Sequence, residues 1–190
     1  MICGSLYLAG SSQQAQEIIK TDRLILREMR RRDLPDLCEI LQDETVMVAY
    51  EHAFSDTEVE AWYQNQRRRY REDGFGLWAV VSRESGEMLG QCGLTLQEIP
   101  GETVCEVGYL FKKRFWHNGY ATEAARACMD YAFQTLNQNA VYSIIRDNNL
   151  PSQAVAQRNG LNLVGSFTKH YYGIDMPHLI YQKTNKERTQ

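Results

Sequence analysis

Residues 111–125 read FKKRFWHNGYATEAA and lie between a stretch patterned as a strand and one patterned as a helix. Lys112, Lys113 and Arg114 place positive charge at this loop, and Gly119 lets the backbone approach a ligand closely. Tyr120, Ala121 and Thr122 open the helix, where backbone N–H groups lack intrahelical partners and the dipole favours negative charge. That combination suits an anion, a diphosphate above all. The same residues also suit a plain strand-to-helix loop with a glycine turn, and spacing alone leaves both readings open. Two better-known phosphate loops do not apply: GxxxxGK[ST] does not occur, and Gly74-Phe75-Gly76-Leu77-Trp78-Ala79 fits GxGxxA but precedes a strand instead of a helix. Two residues could move protons. Glu106 is flanked by apolar neighbours, which disfavour its charged form, although a salt-bridged or substrate-orienting carboxylate fits as well. His170 titrates near neutrality, although beside Tyr171 and Tyr172 it also reads as a surface or aromatic-packed side chain. There is no HExxH, CxxC or His/Cys cluster, so no metal is expected.

The elements that must position these residues follow from periodicity and caps. Residues 21–28 alternate as a strand. Asp33 is placed to cap a helix with Leu34, Leu37, Cys38 and Leu41 on one face. Ser55 and Glu58 form a capping-box pattern that opens a second helix, running to about Arg71. Strands are expected at 76–82, 88–96 and 104–111, the last two joined by a type II turn at Ile99-Pro100-Gly101-Glu102. A helix over 120–136, a strand at 140–146, a helix capped by Asn149 and ended by Gly160, and strands at 161–168 and 178–183 complete the chain. The first half is a helix pair and an antiparallel meander. The second contains strand–helix–strand, which implies a parallel pair with a right-handed crossover. The expected fold is α/β, with a mixed, mostly antiparallel sheet of about seven strands and about four helices on both faces.

At 190 residues the chain is the size of one domain with a real core. A hydrophobic fraction of 43% and a charged fraction of 24% are those of a soluble globular protein. The net charge of -3 argues against nucleic acid as a partner. Cysteines at 3, 38, 92, 105 and 128, odd in number and dispersed, read as free thiols in a reducing cytosol, so a cytoplasmic location is expected. No apolar run approaches the ~20 residues of a membrane helix, so no membrane partner is expected. Residues 1–17 read as an extension, with a linker at Ser11, Ser12, Gln13 and Gln14, residues 18–184 as the domain, and 185–190 as a tail.

Taken together, Trp116-His117-Asn118-Gly119-Tyr120-Ala121-Thr122-Glu123-Ala124, the opening strand TDRLILRE, the strand CEVGYLF, Asn149-Leu150-Pro151-Ser152 and Arg158-Asn159-Gly160-Leu161 resemble the GNAT N-acetyltransferase superfamily, in the branch of the ribosomal-protein N-terminal acetyltransferases. Five motifs in register over about residues 18–183 make the resemblance specific. Trp116 stands where the superfamily has Gln or Arg, as is common in this branch. His117 stands where the branch has Gly, which puts the loop geometry in question, and Leu161 replaces Phe.

The resemblance implies acetyl-CoA as co-substrate and an amine, a protein N-terminus or a small molecule, as acceptor. It implies a sheet splayed between the fourth and fifth of the seven strands, with the pantetheine arm along the exposed edge at Tyr109, Leu110 and Phe111. It implies that the backbone N–H groups of residues 117–122, in a coenzyme loop that begins at Trp116, hold the pyrophosphate, that Asn149 contacts the coenzyme, and that the Ser152 hydroxyl faces its sulfur. Tyr50, Glu51 and His52 fall in a loop that walls the acceptor pocket in the family, whose members often form homodimers. Direct transfer then requires a neutral amine, whereas a lysine side chain, with a pKa of about 10.4, is charged at neutral pH, so a base is needed. Glu106 and His170 compete for that role, with a water relay as the remaining option, and Ser152 fits both protonation of the leaving thiolate and plain capping work in the first turn of its helix. Ile144 stands where some relatives carry a base glutamate. A coenzyme-binding sensor without turnover is the alternative to an enzyme.

Overall fold

The computed structural model describes residues 16–171 and 173–185. The expectations for the extension and linker before residue 16, for the tail beyond 185 and for Tyr172 fall outside the described residues. Eight strands form one sheet: β1 (Glu17–Lys20), β2 (Leu24–Arg27), β3 (Leu77–Ser82), β4 (Met88–Ile99), β5 (Glu102–Phe111), β6 (Ala140–Arg146), β7 (Asn162–Tyr171) and β8 (Ile174–Thr184), in the spatial order β1-β2-β3-β4-β5-β6-β8-β7. The four helices are α1 (Leu34–Leu41), α2 (Asp56–Glu72), α3 (Tyr120–Gln134) and α4 (Leu150–Arg158). The eighth strand is β1, whose adjacent Ile18 and Ile19 pack on the core without the alternation that marks a strand in sequence.

The sheet buries a different cluster on each face. Leu24, Leu26, Trp78, Val80, Cys92, Leu94, Cys105 and Val107 pack against Ala124, Cys128 and Met129 of α3 and Val155 and Ala156 of α4. On the other face Leu77, Ala79 and Met88 meet Leu37, Ile40 and Leu41 of α1 and Val59 and Tyr63 of α2. Alternation along the strands sends neighbours to opposite faces. In β5 this puts Cys105, Val107, Tyr109 and Phe111 toward α3 and α4, and Leu110 toward α1 and α2. Glu106 and Gly108 share the face of Leu110.

Local chemistry sets the boundaries. The Ser55 hydroxyl accepts from the Glu58 N–H while the Glu58 carboxylate accepts from Ser55 N, so the expected capping box opens α2. Asp33 does not cap α1. Its carboxylate accepts instead from Arg30 N and pairs in two contacts with Arg27, and that ion pair fixes the chain between β2 and α1. Gly101, at φ 95°, closes the β4–β5 hairpin as expected of the glycine in a type II turn. The β7–β8 hairpin is longer than its sequence pattern indicates and pairs as far as Tyr171↔Ile174.

The feature that positions a site is the junction of β5 and β6. β4 and β5 are paired from Ile99↔Glu102 to Gly90↔Phe111, whereas β5 and β6 run parallel and share one register pair, Glu106↔Tyr142. Beyond it the strands part, so the β6 side of residues 108–111 has no strand partner among the described residues. With β1 counted, this is the splay expected between the fourth and fifth of seven strands.

Candidate active site

The loop after β5 reaches α3 through two consecutive devices. His117 takes φ 63° and Gly119 φ 77°, both in the left-handed region. His117 thus adopts the backbone that glycine would adopt freely, at a cost on the order of 1–2 kcal/mol, so the loop keeps its path despite the side chain. Gly119 is the N-cap of α3, and no side chain caps this terminus. The N–H groups of its first turn are therefore unsatisfied donors at the positive end of a 15-residue helix. Arg23, entering β2, braces the loop: it donates to the Asn118 carbonyl at 2.9 Å, pairs with Glu123 at 2.6 Å and lies 4.5 Å over the Tyr120 ring. The Trp116 indole N–H donates to the Phe111 carbonyl at 2.9 Å, tying the loop to the end of β5.

The basic run serves a different purpose from the one its sequence suggests. Lys112 is buried, and its ammonium lies 2.6 Å from Asp36 and 2.8 Å from Glu39. Arg114 pairs with Glu39 and Glu87. These charges anchor the loop to α1 and β4 and are not presented to a ligand. The cations that do line the groove at the start of α3 are Lys20, Arg126 and Arg158, together with His117, Gly119 and Thr122, and with Asp22, Glu123 and Asp130 as acidic neighbours. Arg126 lies on α3 with no motif to mark it, whereas Arg158 opens the Arg158-Asn159-Gly160-Leu161 motif without an expected role toward the coenzyme. An unsatisfied helix terminus flanked by arginines fits the pyrophosphate and phosphate groups of coenzyme A.

On the same side of the splay, Tyr109 crosses to α4 and its hydroxyl donates to the Ser152 carbonyl at 3.1 Å. Asn149 caps α4 by accepting from Ser152 N at 3.2 Å. The Ser152 hydroxyl and the Asn149 side-chain N–H groups have no hydrogen bond among the described residues and are available to a ligand.

The opposite side of the splay holds Glu106. One carboxylate oxygen accepts from the Ile144 N–H at 3.1 Å, so β6 reaches β5 through this side chain where the backbone ladder ends. Loss of water around the carboxyl outweighs that bond and the charges of Lys169 and Arg69, and pushes its pKa up to about 7. Next to it on this face is Gly108, where an added Cβ would meet only Leu77 Cδ2 at 3.8 Å, so space opens in front of the strand. Tyr50, Phe54 and Trp62 stack edge to face with centroids 5.8–6.2 Å apart, and the Trp62 indole donates to Gln91 of β4 at 2.9 Å. Glu51 takes φ 68° and pairs with Arg146 at the end of β6, while His52 is 2.8 Å from Glu58. Tyr50 is the member of this trio whose hydroxyl lies within electrostatic reach of Glu106.

His170 stands apart. Its ring is 73% exposed and pairs with Asp175 at 2.5 Å across the hairpin. It is the preceding residue, Lys169, whose charge reaches Glu106, consistent with alternation along β7. Arg69 stands in the run Arg67-Arg68-Arg69 with Arg71, whose composition suits a solvated helix face, yet it is half-buried and within the field of Glu106 and Tyr50. Only its spacing from Tyr63 and Gln66, two of the three buried residues of α2, could have marked it.

The family model described as an acetyltransferase (GNAT) domain matches residues 23–162. The chain is 38% identical to the uncharacterized protein YkkB of Bacillus subtilis (strain 168), over 78% of this chain and 87% of that protein. It is 27% identical to the uncharacterized N-acetyltransferase YnaD of the same organism, over 80% of this chain and 86% of the relative. Among solved structures, a ribosomal L7/L12 alpha-N-protein acetyltransferase, RimL, in complex with coenzyme A shares the fold, with a TM-score of 0.74, 19% identity, and coverage of 89% of this chain and 98% of that one. With the splayed sheet and the uncapped helix terminus already in place, the chain belongs to the GNAT family and is an acetyl-CoA-dependent acetyltransferase.

Proposed function

We propose that the protein transfers the acetyl group of acetyl-CoA to a primary amine by direct attack in a ternary complex, with Glu106 as the base. The observation that carries this reading is the single register pair Glu106↔Tyr142, which places a carboxyl of raised pKa where the two strands part. Coenzyme A occupies the α3–α4 side, its pyrophosphate on the N–H groups of residues 117–122 and its pantetheine along residues 109–111. The acceptor enters from the α1–α2 side, past Tyr50, Glu51 and His52. Glu106 removes a proton from the ammonium, and the freed amine attacks the thioester carbonyl carbon. A backbone N–H at the open edge of β5 stabilises the oxyanion. The carbon–sulfur bond then breaks, the Ser152 hydroxyl passes its proton to the thiolate, and the second proton of the attacking nitrogen returns to Ser152, leaving a neutral amide and the free thiol. A base of pKa about 7 is matched to neutral pH, where it is substantially ionised and still a competent acceptor. His170 has no part in this scheme, because its ring is exposed and engaged by Asp175. RimL is by name an alpha-N-protein acetyltransferase, so peptide N-termini are one class of acceptor to test beside small amines.

The test has two parts. Acetyl-CoA at about 100 times its Kd should stabilise the fold by roughly 2.7 kcal/mol, and Gly119→Val, which strains a left-handed position, should abolish that shift. Thiol release with peptides, aminoglycosides, polyamines and amino acids should then reveal an acceptor. A melt indifferent to acetyl-CoA contradicts the assigned coenzyme site. A shifted melt without release from any amine favours a sensor.

A further inference from the structure

Two cations beside the acceptor side of the cleft, Arg69 and Lys169, have no carboxylate in contact among the described residues, although Asp73 and Glu106 lie within the field of Arg69 and Glu98 lines the same groove as Lys169. Arg69 projects from α2, and its stem lies against β3: a Cβ added at Gly76 would sit 3.3 Å from Arg69 Cβ. Leu77 of β3, Gly93 of β4 and Gly108 of β5 form one register row, with Gly76 just before β3. A Cβ on Gly93 would fall 2.0 Å from the Gly76 carbonyl oxygen, and a Cβ on Gly108 would meet Leu77 Cδ2 at 3.8 Å, so this row is a close floor in which Leu77 alone carries a side chain. Arg69 overlies one end of it, and Glu106 borders the other, two residues from Gly108 on the same face. Across the cleft, Lys169 of β7 lies 5.7 Å from the Phe167 ring, and Phe167 packs on the cluster of Val104, Tyr142 and Ile180 beside Glu106.

The neighbouring cations are accounted for. Arg146 pairs with Glu51, Arg67 with Glu28 and Arg68 with Glu72. The Nδ1 atom of His178 is 2.8 Å from the Met176 carbonyl. Arg69 and Lys169 form no salt bridge among the described residues, although Arg69 is half-buried and burial disfavours its charge. A cation held partly out of water with carboxylates in its field but none in contact is costly, and a ligand anion bound directly to it offsets that cost.

We propose that the acceptor carries an anionic group close to its amine, a carboxylate or phosphate, and that Arg69 and Lys169 receive it while the amine faces Glu106. The proposal rests on the acceptor side assigned above. It makes the two cations selectors of substrate: an amine without the anion would enter a positive cleft as a repelled ammonium, whereas a zwitterion is attracted and oriented. A guanidinium suits this task because its planar fork binds carboxylate and phosphate in two contacts.

The experiment uses matched amines that differ in the anion alone. L-amino acids are set against their amides, peptides beginning with Asp or Glu against those beginning with Asn or Gln, and phosphoethanolamine against ethanolamine. Binding to the CoA-saturated protein is measured by calorimetry and turnover by thiol release. In at least one pair the anionic member should bind and react roughly tenfold better or more, and the preferred pair identifies the anion. Arg69→Gln should collapse that ratio toward one, Lys169→Gln should reduce it, and Arg69→Lys should restore part of it, with the acetyl-CoA melt shift retained in all three as proof of folding. Neutral members binding as well as their anionic mates in every pair, or a ratio unchanged in both Gln variants, overturns the proposal. Anion-dependent binding without acetyl transfer would instead leave the charge selection standing and remove Glu106 as base.

Discussion

Replacing Glu106 with Gln separates the cost of this carboxyl to the fold from its use in the reaction. Its pKa is pushed up to about 7 from an ordinary 4.5, chiefly by burial, so the folded state resists ionisation. Below pH 4.5 both folded and unfolded chains hold the proton and the group costs nothing. Between 4.5 and 7 the unfolded chain loses its proton first, and stability falls as pH rises. Above 7 the full penalty is present, and the interval corresponds to roughly 3 kcal/mol. Gln keeps the shape and can still accept from the Ile144 N–H, but carries no charge to desolvate. Glu106→Gln should therefore be more stable than the wild type by roughly 3 kcal/mol at pH 8 and by about 1 kcal/mol at pH 5. For a chain of this length that is a rise in Tm of roughly 6–12 °C at pH 8. Thermal melts of both proteins across pH 5 to 8 measure it. The same variant should lose the acidic limb of the rate profile, inflecting near pH 7, and about 10²–10⁴ in kcat/KM for a charged amine. A variant whose advantage does not grow with pH would refute the desolvation argument, and an unchanged limb would refute the base assignment.

Two further outcomes follow from the other side of the splay. Ser152→Ala should lower kcat by about 10² while leaving the acetyl-CoA melt shift intact, because the backbone N–H that Asn149 caps is unaffected; an unchanged kcat with a raised KM would make Ser152 a binding residue. Lys112→Met should leave acetyl-CoA affinity and its salt dependence unchanged, whereas Arg126→Gln and Arg158→Gln should weaken binding and flatten that dependence. Calorimetry over a salt series decides between the two sets of cations, and a loss in Lys112→Met matching the arginine variants would return the lysine to the ligand.

The elements were legible where local chemistry decides them. The Ser55–Glu58 box, the Asn149 cap, the Gly101 turn and the glycine-opened α3 each follow from residues within four positions of one another. What sequence could not show is which way a long side chain turns. Lys112 and Arg69 make the point in opposite directions. Lys112 sits in a basic run beside a phosphate loop, yet packing against α1 gives it Asp36 and Glu39, more than 70 positions away in sequence. Arg69 sits in a run of surface arginines, yet the helical period brings it close to the buried side of α2. Asp33 has the residue type of an N-cap, but a buried pairing with Arg27 competes for the same carboxylate and prevails. β1 was hidden because two adjacent isoleucines carry no period.

Strand alternation also explains why the groups proposed for proton transfer divide as they do. In β5, Glu106 and Tyr109 are three residues apart and must emerge on opposite faces. Tyr109 reaches Ser152 on α4, and Glu106, on the α1–α2 face, accepts from the Ile144 N–H of β6. In a closed sheet these groups could never serve one reaction, because a continuous ladder would separate them. The parting of β5 from β6 immediately after Glu106↔Tyr142 removes that barrier at the one place where both are within a turn of strand. A thioester can then lie in the gap, with the leaving sulfur toward the helix that holds Ser152 and the attacked carbonyl toward Glu106. The order of elements that produces this, a meander ending in β5, a crossover through α3 and a return along β6, is the order that also puts the uncapped α3 terminus beside the gap. On the proposed mechanism, coenzyme binding and proton transfer are two consequences of a single crossover, and the proposed selection of the acceptor falls to elements outside it, α2 and the β7–β8 hairpin, where Arg69 and Lys169 lie.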